Sequence, residues 1–321
     1  MSKVLTTNEL LRSIKRRAFI PKDQNTFEDS DFTDMLNEEI SYFGVPHLLR
    51  THEEYLVTFT DIDIVEGTTE YEIPERAIGN KLRDVAFVDN NENYYEMSRV
   101  SLEELSDYNY RGDNLNDYTE SFYVQGNKII LVDELPVQNG VLRMYFYLKP
   151  SSLVLEERTA KVTSIDSVSG NVSVDKFPPG FTNLPLMDFV QSKSPNLVLN
   201  FDVQPTAVNS ATKTITFSSA NVPNQLKVGD YVNFAGETFV PQLPSELHPI
   251  LAQRVAVAAL EAMGDSQNMS LAQNRLTMME KSVNDLIDNR VEGAPEKLKN
   301  RHGTLNEALL NYYGHRNRGI D

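Results

Sequence analysis

The apolar residues of this chain change period twice, and that change limits the folds open to it. Near both ends they recur every three to four residues, the spacing of one helix face. Between about residues 55 and 242 they alternate, or cluster with β-branched and aromatic neighbours. Helices at both ends with a long β stretch between them require an α+β fold in which the chain builds sheets and then returns to helices. With 321 residues the chain also exceeds the roughly 250–300 that one hydrophobic core usually serves, so more than one domain is expected.

Thr6 and Glu9 have capping-box spacing ahead of Leu10, Leu11, Ile14 and Ala18, which predicts a helix over 6–19 stopped by Pro21. Phe32, Leu36, Ile40 and Phe43 predict a second helix over 31–43. Gly44-Val45-Pro46 is expected to break it, with His47-Leu48-Leu49 adding one turn. At the other end, Ser245 is placed to cap an alanine-rich helix through Met263, with Pro249 in its first turn and Gly264 ending it. Met269, Ala272, Leu276, Met279, Val283 and Leu286 then alternate in spacings of three and four, a heptad seam on a helix near 270–289. These two helices would form an antiparallel hairpin that packs with the N-terminal ones. Residues 1–54 and 243–293 are therefore expected to make one helical bundle body.

A first strand is predicted from Tyr55, with others at 69–73, 82–88, 94–100, 121–125, 128–132 and 141–148. Turns are expected at Gly79-Asn80, Asp89-Asn90-Asn91 and Gly126-Asn127, and a short helix from Ser101 to Leu105. Residues 55–150 thus read as a β domain. Residues 155–242 read as an inserted β module, a small barrel or sandwich. It carries a weak repeat, in which Thr163 through Val174 matches Thr206 through Phe217, 43 residues further on. Each copy reads as strand, polar turn, strand.

Charge is distributed in blocks. Residues 1–22 carry six basic side chains and one acid, and residues 23–72 carry fourteen acids against Arg50 alone. Over the whole chain 30 Lys and Arg face 46 Asp and Glu, a net charge of −16, which argues against a protein that grips nucleic acid along its surface. The tyrosines that would stack bases, such as Tyr94, Tyr95, Tyr108 and Tyr110, sit among carboxylates, where single-strand binders place cations. The segment 294–321 is locally basic (Lys297, Lys299, Arg301, Arg316, Arg318). Thr304 and Glu307 there precede Leu305, Ala308, Leu309 and Leu310, a helix too short to stand alone in water.

No chemistry-bearing pattern is present. The absence of cysteine removes disulfides, thiolate metal sites and a thiol nucleophile. There is no G-x-S-x-G, H-E-x-x-H, Walker loop or G-x-G-x-x-G, and the five histidines are scattered. Asp61-x-Asp63 with Glu66-Gly67 is a fragment of a calcium loop without the remaining ligands. No catalytic, cofactor or metal site is expected. Neither a secretory leader nor a membrane span is expected, because no apolar run approaches about 20 residues.

The run from Tyr71 through Pro74, Arg76, Gly79, Leu82 and Arg83 to Val85 resembles a segment of head-to-tail adaptor proteins of tailed phages, especially short-tailed ones. The following turn at 89–93, the run Tyr95 to Val100 and the order of elements over roughly 1–150 and 243–321 are similar too. The local chemistry of Tyr71 to Val85 is that of a fold-defining turn: Pro74 ends a strand, Gly79-Asn80 turns the chain, and Arg76 and Arg83 are available to neutralise acids. The resemblance implies a structural virion protein made in the host cytoplasm, non-enzymatic, forming a homo-oligomeric ring (a dodecamer, matching the portal) in the neck of a podovirus. It implies C-terminal arms docked on the portal protein, tail or nozzle proteins below, and genome DNA ejected through the lumen without specific binding. Within 294–321, Arg301, Leu305, Leu309, Leu310, Tyr312 and Tyr313 are the expected portal contacts. An acidic lumen that repels phosphate and a basic segment that orders on a partner fit that picture. The rival readings are a tail-tube or nozzle component, a receptor or glycan-binding virion protein acting through 155–242, and a cell-wall enzyme, which lacks a visible site.

Overall fold

The computed structural model describes residues 3–21, 26–101, 103, 121–132, 140–193 and 195–287. The chain divides into two compact units, 1–288 and 289–321, and the second lies outside the described residues. So do the short helix expected at Ser101–Leu105 (apart from Ser101 and Glu103) and the whole segment 294–321.

Helix α1 (Thr7–Arg17) begins at the expected capping box: the Thr6 hydroxyl accepts from the Glu9 N–H and the Glu9 carboxylate accepts from the Thr6 N–H. Lys15, Arg16 and Arg17 fill its last turn, where cations suit the helix dipole. Helix α2 (Asp29–Glu39) starts two residues earlier than its apolar stripe suggests, because Glu28 and Asp31 cap each other's backbone N–H groups. Gly44-Val45-Pro46 does not break the helical run. Residues Ile40–Gly44 form a π-turn and α3 (Val45–Thr51) continues from it, with Pro46 in a first turn that needs no proline N–H. Leu243 packs closely against Gly44, where a Cβ would lie 3.0 Å from Leu243 Cδ1.

Seventeen strands follow among the described residues. The first β region contains β1 (Val57–Asp63), β2 (Glu70–Glu72), β3 (Ala77–Asp89), β4 (Tyr94–Glu96), β5 (Ser98–Arg99), β6 (Ser121–Gln125), β7 (Lys128–Leu131) and β8 (Gly140–Leu148). They form two four-stranded sheets, ordered β1-β8-β3-β4 and β2-β7-β6-β5. Val85, Phe87, Met144 and Phe146 of the first sheet and Tyr71, Phe122, Ile129 and Leu131 of the second share one buried core. Gly126-Asn127 makes the expected two-residue hairpin turn, with Gly126 at φ +63. Gly79-Asn80 does not reverse the chain. Both residues have positive φ, but they lie inside β3 as a bulge, so five steps from Ala77 to Leu82 oppose two from Leu148 to Phe146.

The second β region contains β9 (Ser152–Leu153), β10 (Ala160–Asp166), β11 (Asn171–Val174), β12 (Met187–Val190), β13 (Val198–Val203), β14 (Ala207–Asn209), β15 (Thr214–Thr216), β16 (Tyr231–Phe234) and β17 (Glu237–Thr238). Seven of them form one sheet, ordered β13-β12-β16-β10-β11-β15-β14. It is not a closed barrel, because β13 and β14 end the order without pairing with each other. Instead β10 pairs with β16 through Ala160 and Lys161 and with β11 from Val162 on, the latter with a register shift between Val162 and Ser164, and Val172, Phe181, Phe189, Ile215 and Val232 share the core of this sheet. The weak repeat is visible in space. Hairpins β10–β11 and β14–β15 lie side by side with Val172 opposite Ile215. Asp166 and Asn209, 43 residues apart, each accept from two backbone N–H groups of their own turn.

The chain returns through α4 (His248–Ala262) and α5 (Ser266–Ile287). Ser245 does not cap α4. Residues 244–247 form a turn closed by the Leu247 N–H on the Pro244 carbonyl, and the Ser245 hydroxyl donates to Glu246. Gly264, at φ +72, ends α4 as expected. Leu10 and Ile14 of α1, Phe32 and Leu36 of α2, Leu48 of α3, Leu251 and Val255 of α4, and Ala272 and Leu276 of α5 lie in a single core. The architecture is mixed α+β with several sheets.

Candidate interaction surfaces

Pro74 ends the strand pairing of β2, and the Ala77 N–H donates back to the Pro74 carbonyl at 2.9 Å, so Arg76 projects from a tight turn. Its guanidinium, 15% exposed, crosses into the second β region. Nη2 donates to Asp188 Oδ2 at 3.1 Å and to Ser151 Oγ at 3.2 Å, and Nη1 donates to Asp202 Oδ1 at 2.9 Å. Asp188, on β12, is fully buried. It also accepts from the Asp202 N–H and the Gly236 N–H, both at 2.9 Å, so the charge enters the interior fully hydrogen-bonded. Burial pushes the Asp202 carboxyl up, against the pull of Arg76. Gln242 joins from the far end of the region, accepting the Ser151 N–H at 2.8 Å. Four distant stretches of chain are thereby tied at one polar joint.

The other residues of the Tyr71–Val85 run have local roles. Tyr71 is buried, and its hydroxyl donates to the Thr68 carbonyl at 3.1 Å. Gly79 sits in the bulge of β3 with open space where a side chain would go. Leu82 packs at the edge of the first β core, and exposed Arg83 lies 3.7 Å from neighbouring Asp84. The structure brings Tyr71, Pro74 and Arg76 to the turn and leaves Arg83 outside the joint. Neither Asp188 nor Asp202 is singled out in the sequence analysis. The usable signal was Asp188 itself, a lone carboxylate in the apolar run Leu186-Met187-Asp188-Phe189-Val190, which demands a cation.

A second surface is the outer face of the first sheet. The strand register places Asp61, Arg143, Ala86 and Glu96 in one cross-strand row, Phe59, Tyr145 and Asp84 in the next, and Asp63 and Tyr94 on the other side. Arg143 forks onto Asp61 at 2.7 and 2.8 Å and lies 4.3 Å from the centre of the Phe59 ring. That pairing holds its guanidinium above its ordinary range, first through the Asp61 hydrogen bond. Phe59 stands 5.7 Å and Tyr94 6.4 Å from Tyr145, and Ala86 is fully buried in the row between. About half of Phe59 and of Tyr94 remains exposed.

Of the five histidines, His248 is fully buried at the start of α4. Its Nδ1 accepts the Leu5 N–H at 3.0 Å and its Nε2 donates to the Leu243 carbonyl at 3.1 Å, a neutral ring whose pKa burial pulls down to about 4. Among the described residues no three His, Asp or Glu are grouped to hold a metal ion. No described helix is long and apolar enough to cross a membrane. Arg301, Leu305, Leu309, Leu310, Tyr312 and Tyr313 lie outside the described residues.

The polar joint ties the fold together, and the outer face of the first sheet leaves aromatic and charged side chains exposed. The family model described as SU10 adaptor protein matches residues 5–168, about half of the chain. The chain belongs to this family of phage head-to-tail adaptors. No curated protein matches it. Membership makes it a structural constituent of a phage virion that interacts with other head or tail proteins.

Proposed function

We propose that this chain is the repeating subunit of a neck ring beneath the portal, linking head to tail and leaving a negatively charged passage for the genome. In this reading it catalyses nothing and carries no cofactor. Residues 1–54 and 243–293 are a helical body, 55–150 a β domain, 155–242 an inserted module and 294–321 a docking arm. The observation that supports it most is the family match over 5–168, the part that contains the Tyr71–Val85 turn. Arg76 fastens that turn to the second β region, so the added strands are held against the adaptor part. The net charge of −16 suits a channel wall along which DNA slides without sticking. Arg301 with Leu305, Leu309, Leu310, Tyr312 and Tyr313 supplies the arm's cation and apolar anchors for the portal.

The test is truncation after Gly293. The shortened chain is expected to keep the folded body, by circular dichroism and thermal unfolding, and to lose portal binding in a pull-down. Undiminished binding would remove the arm from the account.

A further inference from the structure

One face of this acidic chain is cationic. On α1, Arg12 and Arg16 are exposed four residues apart, and no ion pair to either occurs among the described residues. On α5, Leu271, Arg275 and Met278 fall at i, i+4 and i+7, all exposed, on the side of the helix away from the Ala272–Leu276 seam. Arg17 of α1 donates to Gln253 of α4 at 2.6 Å and toward the Met279 sulfur of α5 at 3.8 Å. Burial lowers the Arg17 pKa, and the positive fields of Arg275 and Arg16 lower it further, so these cations crowd one another.

The same chain offers a surface of opposite sign. Around Phe59 and Tyr94 on the outer face of the first sheet stand Asp63 and Glu96, with Asp84 beside Arg83, while the central cation, Arg143, is already spent on Asp61. We infer that the Arg16–Arg275 face of one copy docks on the Phe59–Tyr94 sheet face of the next. The occupant is a second copy and not nucleic acid, because phosphate would reward the cations and leave Leu271 and Met278 wet. Aromatic rings accept both guanidinium and thioether groups. Pairing either face with itself would set like charges together, so the contact is heterologous, the kind that repeats head to tail and closes a ring. This inference rests on the ring reading above and deepens it by naming the faces that meet.

The experiment is a charge swap. One variant carries Arg16→Glu with Arg275→Glu; the other carries Asp63→Lys with Glu96→Lys. All four sites are exposed, and circular dichroism verifies that each variant folds. Self-association of full-length chain is followed by sedimentation up to about 1 mM, where even weak contacts register. Each variant alone is expected to associate on the order of 100-fold more weakly than the parent chain, and an equimolar mixture to regain parental association. Variants that assemble as the parent does, or a mixture that stays as weak as its parts, would overturn the pairing while leaving the ring intact. A parent chain that stays monomeric throughout, alone and on portal, would overturn the ring and the pairing together.

Discussion

Arg76 and Arg143 each hold an aspartate and each lie near a phenylalanine ring, yet they belong to regions with opposite relations to water. Arg76 reaches across 112 positions to Asp188, which is 0% exposed, and every oxygen of that carboxylate is occupied. Arg143 pairs across one strand boundary with Asp61, where both side chains keep about a quarter to a third of their exposure. The geometry of the exposed pair is the better of the two, a short two-pronged fork. The buried pair nevertheless matters more for stability, because removing one partner strands a charge in the interior, whereas water replaces a lost partner at the surface. The contrast also separates roles. The buried region fixes how the two β regions meet, and the exposed region is free to meet another molecule.

The largest effect is expected from Arg76→Leu, which leaves Asp188 without its cation. A loss of about 3–5 kcal/mol is expected in urea unfolding, with Arg76→Lys recovering only part, since an ammonium cannot span Asp188, Asp202 and Ser151 together. Next comes a buried group held neutral, His248. Its folded pKa is about 4 against an ordinary 6.5, so the unfolded chain takes up the proton first as pH falls. Stability from this site is complete above pH 6.5 and declines by about 3 kcal/mol as pH drops toward 4. The pH slope of the unfolding free energy between those values is expected to flatten in His248→Gln. Smallest is Arg143→Ala, for which screening and exposure leave a loss of about 0.5–1 kcal/mol, and a double-mutant cycle with Asp61→Ala assigns the share of the pair. A loss at Arg143 equal to that at Arg76 would erase the distinction between the regions.

The parts of the fold legible in the sequence were those set by neighbours along the chain. The Thr6–Glu9 capping box, the Gly126-Asn127 hairpin and the Met269–Val283 seam all depend on residues a few positions apart. The misread parts depend on distant ones. At the π-turn, Leu243, some two hundred positions later, packs against Gly44 where a side chain would crowd it. Gly79-Asn80 announced positive φ in the sequence, yet whether two such residues reverse a strand or bulge it is settled by the partner strand β8. Barrel closure was undecidable for the same reason, since it turns on whether β13 and β14 find each other. At the joint, the arginine stood out in a turn and the aspartate stood out in an apolar strand, but nothing local paired them. The outer sheet face was legible only as scattered aromatics among acids; strand register made it a surface.

This polypeptide is expected to act by assembling with other virion proteins. Native mass measurement of the full-length chain, alone and mixed with portal, tests it most directly. A complex with portal that contains many copies of the chain is expected, as is its loss after removal of residues 294–321. Full-length chain and portal that remain separate species at every concentration would contradict it.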